Sequence, residues 1–232
     1  MINNKTINEI IESTDPKESM EYLNNYLAEK QKALAELPDD ASELDRAYLK
    51  LDIAEALVGV GRAEECWEVA RQAFDVFLEN EQWEAAVQCC DVLYQSGQPA
   101  SLSALGQGVW LAVTYPIDPQ LSVNMLGYVV DETPGKADGA AIAAITAHYI
   151  ADMRTEGDTN KSMTFVTNQL LANVAREHSG IKDQEGMNAW MEKLQLLDPA
   201  IFLPRLSLVL GAIVPQDQWW FDRDALRERI AD

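Results

Sequence analysis

From Ala63 to Leu78 the apolar or small residues Cys66, Val69, Ala70, Ala73, Phe74 and Phe77 recur at the i, i+3, i+4, i+7 spacing. Glu64, Glu65, Glu68, Arg71 and Asp75 fill the positions between them. A period of 3.6 residues places the first set on one face and the second on the other, so the segment is read as an amphipathic helix whose apolar side needs a partner. The same pattern returns along the chain. Ala85, Ala86, Cys89, Cys90, Leu93 and Tyr94 form a second stripe, which stops at Ser96-Gly97 ahead of Pro99. Met163, Val166, Leu170 and Val174 form a third, and Met187, Trp190, Met191, Leu194 and Leu197 a fourth. Residues 139–150 are small and apolar on every side, as expected of a helix enclosed by its neighbours.

Helix starts are marked by Asp15-Pro16, Asp118-Pro119 and Asp198-Pro199, where Asp caps and Pro fits the first helical position. The run 108–115 is the one long enough for a strand, but its neighbours on both sides are helical and it is read as helix too. Ile201 to Val214 is the longest apolar stretch, interrupted by Pro204, Arg205 and Ser207. It falls short of the roughly 20 residues that cross a bilayer and is read as a buried helix. The expected fold class is therefore all-α, ten or eleven helices in antiparallel hairpins. With 232 residues the chain is long enough for a real core without disulfides or a structural metal.

Charge narrows the partners. The chain holds 38 acidic and 18 basic side chains, a net charge of -20. Contact with nucleic-acid phosphates or an anionic membrane surface takes clustered Lys and Arg, so neither is expected. The surplus is uneven, since residues 1–96 carry 21 acids and 8 bases while 97–232 carry 17 and 10. Gly97-Gln98-Pro99 is the best boundary between an acidic region 1–97 and a second all-α region 98–232, which together also read as one continuous domain. Three cysteines, Cys66, Cys89 and Cys90, make a poor disulfide framework, and the first residues lack the apolar core of a signal peptide. A reducing, cytoplasmic setting is expected.

Residues 47–80 run as helix, Gly-containing turn and helix, with Ala54 and Leu57 on the first helix, Gly61 in the turn, and Cys66, Ala70 and Ala73 on the second. Trp83, Ala86 and Cys90 continue the trace on the next helix. This stretch, about residues 42–97, resembles a tetratricopeptide repeat, with Cys66 where the family usually has Ala. Small residues are needed there because they let two antiparallel helices approach closely. The resemblance implies either a right-handed superhelix of hairpins or a compact α-α bundle, and an inner face showing Tyr48, Leu51, Asp52 and Glu55. Asp52 stands where the carboxylate-clamping members of the family have an amide, so that face suits a basic or amphipathic partner.

Chemistry-bearing patterns are sparse, and no catalytic residue is assigned. His148 and Asp152, four apart, share a helix face, but a lone His on an Ala-rich helix is read first as a core residue. His178 precedes Ser179-Gly180 at a helix end and is read as a cap. Cys89 and Cys90 are read as packing. The paired acids fit no calcium loop and no Gly-rich turn carries the residues of a phosphate cradle, so no metal and no cofactor are expected. Trp219, Trp220, Phe221 and Arg223 are interface-type residues that equally suit a cap on the core.

These readings converge on a non-enzymatic protein that binds another protein, an adaptor or assembly chaperone for a basic or amphipathic client segment, with a homodimer left open. The candidate contacts are Tyr48, Leu51, Asp52, Glu55, Trp219, Trp220, Phe221 and Arg223. The alternative is a small-molecule binder or enzyme with a pocket between the Ala-rich helix 139–152 and the C-terminal aromatics, lined by His148, Tyr149 and Trp219. A nucleic-acid mimic is a third class.

Overall fold

The computed structural model describes residues 16–229. Among them are α1 (Pro16–Ala35), α2 (Glu43–Gly59), α3 (Ala63–Glu79), α4 (Trp83–Gln95), α5 (Ser101–Thr114), α6 (Pro119–Glu132), α7 (Asp138–Arg154), α8 (Gly157–Ser179), α9 (Gln184–Lys193), α10 (Pro199–Ile213) and α11 (Arg223–Glu228), with one 3-10 turn at Gln216–Gln218. No described residue is in a strand, and the run 108–115 falls in and just after α5. The protein is all-α, a series of helical hairpins. It divides into two compact units, Met1–Leu111 and Ala112–Asp232, and the division falls inside α5.

In the first unit α1 packs on α2, α2 on α3 and α4, and α3 on α4. The crossings are made of small residues. Ala54, Ala56, Cys66, Ala70, Ala73, Ala86, Cys89 and Cys90 are all fully buried, with Phe74, Phe77 and Leu93 filling the space around them. Short side chains at a crossing bring helix axes to the near end of the usual 8–10 Å range. Each large apolar side chain enclosed this way contributes about 1.5–3 kcal/mol.

The turns between these helices share one construction. Arg62 N–H reaches back to Leu57 O and Gln82 N–H to Phe77 O, each at 2.9 Å. The bend puts one residue of each turn in the left-handed region, Gly61 at φ 76° and Glu81 at φ 57°. Glycine takes that conformation freely, whereas Glu81 takes it at a cost that the packed hairpin offsets.

The second unit is arranged around α7, against which α6, α8 and α10 pack. Ala140, Ala141, Ala143, Ala144, Ala147 and Ala151 are essentially inaccessible, which explains why this helix is apolar all round. Asp118 caps α6 by accepting from Leu121 N–H, and Asp198 caps α10 by accepting from Ala200 N–H. Asp15 lies outside the described residues. At the end of α7, Arg154 donates to Ala112 O at 2.8 Å, Val113 O at 3.1 Å and Ser122 Oγ at 3.2 Å. Its charge sits on the carbonyls of the last turn of α5, where a helix dipole presents partial negative charge.

One expectation is corrected here. The apolar run 201–214 is not buried on all sides: Phe202, Leu206, Leu210 and Val214 face the core, while Leu208 is 75% exposed and Ile201 39%. An apolar composition predicts burial only where a neighbour exists to supply it, and α10 packs on α7 from one side. No helix among the described residues is long and apolar enough to cross a membrane.

The crossing at Ala73, fully buried, supports a direct test. Ala73→Leu is expected to lower stability by about 1–3 kcal/mol through overpacking, read as a lower urea midpoint. An unchanged midpoint would show that the crossing has room.

Candidate functional site

The face assigned to a partner in the first unit is occupied within the chain. Leu51 and Glu55 are each 5% exposed. Asp52 is bridged by Lys30 of α1 at 2.9 Å, and the same ammonium lies 5.0 Å from the centre of the Tyr26 ring. Tyr48 is half-buried, tilts against Phe77 at 4.8 Å and donates its hydroxyl to Gln82 Oε1 at 2.9 Å. Helix α1 thus covers much of what the hairpin pattern alone leaves open. No pattern in α1 announced this, because Tyr26 and Lys30 reveal their role only when set beside Asp52.

What the structure does bring together there is an acidic centre. Glu55 lies close enough to Asp52 and Asp91 to feel both charges, and Asp91 is itself buried and accepts from Gln95 Nε2 at 2.7 Å. Burial foremost, then Asp52 and Asp91, pushes the Glu55 carboxyl up to about 8. Tyr26, whose buried hydroxyl has no hydrogen bond of good geometry, is raised by burial and then by Asp52 and Glu55. The thiols resemble it in being insulated: burial pushes Cys66 up to about 12 and raises Cys89 and Cys90 as well, so none of the three is a ready nucleophile.

In the second unit Trp219 and Phe221 meet edge to face at 5.7 Å, and the Arg223 guanidinium stacks over Trp219 at 4.0 Å. Trp219, Trp220 and Phe221 are all half-buried. Tyr149 packs edge-on against Phe202 at 5.9 Å. His148 lines a cleft of about 560 Å³ together with residues of α8, α9 and the loop between them, and neither Tyr149 nor Trp219 belongs to that lining. The three residues named for a pocket therefore do not share this one.

The two histidines are held differently. His148 Nδ1 is 3.0 Å from Thr167 Oγ1, and that hydroxyl donates to Met163 O at 2.9 Å. Thr167 thus accepts from Nδ1–H, which leaves Nε2 a bare acceptor. Burial, offset in part by Asp152, lowers the His148 pKa and keeps the ring neutral. His178 does not cap its own helix. Gly180, at φ 70°, ends α8, and His178 accepts the Trp190 indole N–H at Nδ1 (3.2 Å) while Nε2 meets Asp138 at 3.2 Å. Ser179 Oγ lies 2.6 Å from the same Nδ1. Serine, imidazole and carboxylate are in line, yet the lone pair that would take a serine proton already receives the indole. The arrangement orients a ring and does not activate a hydroxyl.

The feature that sequence reasoning missed is the outer face of α10. Leu197 just before it and Ile201 and Leu208 on it are 61%, 39% and 75% exposed. Pro204, Gly211 and Ala212 lie exposed along the same line, and the helix contains no acidic residue. Spacings of four, three and four were available in the sequence as a signal of a second apolar face. Among the described residues no group of three or more His, Cys, Asp or Glu is placed to hold a metal ion. Comparison with protein-family models, with curated proteins and with solved structures finds no match.

The buried Glu55 gives a pH signature. The folded chain keeps this proton to higher pH than the unfolded chain, so its contribution is full below the ordinary glutamate range and is lost as pH rises toward about 8. The loss runs at up to about 1.4 kcal/mol per pH unit. Glu55→Gln is expected to flatten this slope between pH 5 and 8 in chemical denaturation. Parallel slopes for the two proteins would show that Glu55 ionises normally.

Proposed function

We propose that the protein works by binding another protein, as an adaptor or assembly chaperone for a basic or amphipathic client segment, with no reaction of its own. The observation that carries this reading is the apolar stripe of Leu197, Ile201 and Leu208, set on a helix free of acids in a chain of net charge -20. Exposed apolar surface of this kind marks a contact site more often than chance, and a net negative charge selects against acidic partners.

Charge supports the same client. On α3 the exposed residues Glu64, Glu68, Asp75 and Glu79 climb one face at spacings of four, seven and four. Among the described residues only Asp75 of these has a basic partner, Arg71. An amphipathic helix with Lys or Arg flanking its apolar side fits the stripe of α10, and the net charge of -20 favours it over an acidic one. The likeness of residues 42–97 to a tetratricopeptide unit belongs to this reading, since that architecture presents helical faces to peptides. A reducing, cytoplasmic setting suits three thiols that form no disulfide.

A fluorescein-labelled synthetic helix of alternating Leu and Lys faces tests the proposal. It is expected to bind the full chain, and binding is expected to weaken between 0.05 and 0.5 M salt because exposed charges are screened within roughly 8–10 Å at ordinary ionic strength. Leu208→Asp removes the most exposed leucine of the stripe. Removing one such leucine contact is worth about 1.5–3 kcal/mol, so affinity should fall by roughly tenfold or more. Equal binding of the variant, or of a Leu–Glu helix, would overturn the reading.

A further inference from the structure

The cleft between α8 and α9 has a chemistry that a client-binding stripe does not require. Its floor is apolar, with Leu171 buried and Met187 and Met191 half-buried, and His148 also contributes to the lining. Its rim carries Arg176 and Lys182. Neither cation is ion-paired with a described residue; Arg176 Nη1 donates to a neutral amide, Asn173 Oδ1, at 3.1 Å. Other cations, such as Lys136 and Lys193, also lack a carboxylate partner among the described residues; what marks Arg176 and Lys182 is that both line one cleft. The nearest acid of the lining, Asp183, is committed to capping α9, accepting from Gly186 N–H at 2.7 Å. At the other end of the same cleft the imidazole of His148 has one nitrogen held by Thr167 and the other without a partner among the described residues.

We propose that this cleft binds a small amphipathic organic anion. The apolar body of the ligand lies on Leu171, Met187 and Met191, its anionic group meets Arg176 and Lys182, and an N–H or O–H of the ligand donates to Nε2 of His148. A cleft of about 560 Å³ is within the range that encloses a drug-sized molecule. Two methionines give the floor an adaptable surface, which favours flat or aromatic bodies of varied outline. The division of labour is the common one for such sites: apolar area for affinity, and a few convergent polar groups for orientation. The cleft lies wholly within the second unit and is formed by residues other than those of the α10 stripe, so it stands or falls independently of the client-binding proposal.

The probe is 8-anilinonaphthalene-1-sulfonate, which combines an aromatic body, an anion and an N–H donor, titrated into the full chain with fluorescence as the readout. The expected result is saturable binding, weakened at least tenfold in Arg176→Glu/Lys182→Glu and unchanged in Leu208→Asp. N-phenyl-1-naphthylamine, which lacks the sulfonate, is expected to bind at least tenfold more weakly than the anion. Met191→Trp, which fills the floor, gives a second route to loss of binding, with circular dichroism confirming that each variant is folded. Binding that is equal for the two probes and indifferent to the charge reversal overturns the proposal. So does binding that disappears in Leu208→Asp, because the dye would then sit on the stripe of α10.

Discussion

Everything in this molecule rests on how closely its helices approach. An α-helix that must serve two or three neighbours at once has no face to spare for large side chains. The chain meets this condition with alanine and cysteine: Ala54, Ala70, Ala73, Ala86 and Cys66 in the first unit, and the alanines of α7 in the second. Large apolar groups are then placed between the crossings, where Phe74, Phe77 and Leu93 fill what the short side chains leave open. The arrangement is intolerant in one direction. A lost methyl leaves a small void, whereas an added group at a crossing separates two backbones along their length.

This constraint also decided what was legible beforehand. Helices announce themselves through spacing, and the stripes at 63–78 and 83–94 and the all-round apolar run at 139–150 became α3, α4 and α7. Asp118 and Asp198 read correctly as caps because a cap is a local bond between a side chain and the turn that follows it. The turn at Gly61 was visible for the same reason, but its counterpart at Glu81 was hidden, since nothing in a glutamate advertises a left-handed backbone. Sites fared worse. Which face of α2 stays open depends on α1, some twenty residues away, and the pairing of Lys30 with Asp52 is a long-range fact. The outward side of α10 was misread because hydropathy reports what a residue prefers and not whether the fold grants it.

The charge surplus takes on a more definite distribution in three dimensions. Part of the formal surplus is not expressed, since Glu55, almost without access to water beside the buried Asp91, keeps its proton up to about pH 8. Part forms the outer ladder of α3. The basic side chains are fewer and are used for specific tasks: Arg154 terminates a helix, Lys30 holds α1 to α2, and Arg205 reaches both Asp138 and Leu194 O. Against that economy, a long uncharged face stands out in a molecule otherwise rich in carboxylates.

The three sequestered cysteines have a practical consequence. All lie in the first unit and none in the second. None is accessible in the folded state. An alkylating reagent therefore reacts only when that unit opens, and under conditions where closing outpaces labelling the rate gives the opening free energy of that unit alone. The wild-type chain thus carries an internal gauge that distinguishes independent fluctuation of its two halves from concerted unfolding, with no engineered label.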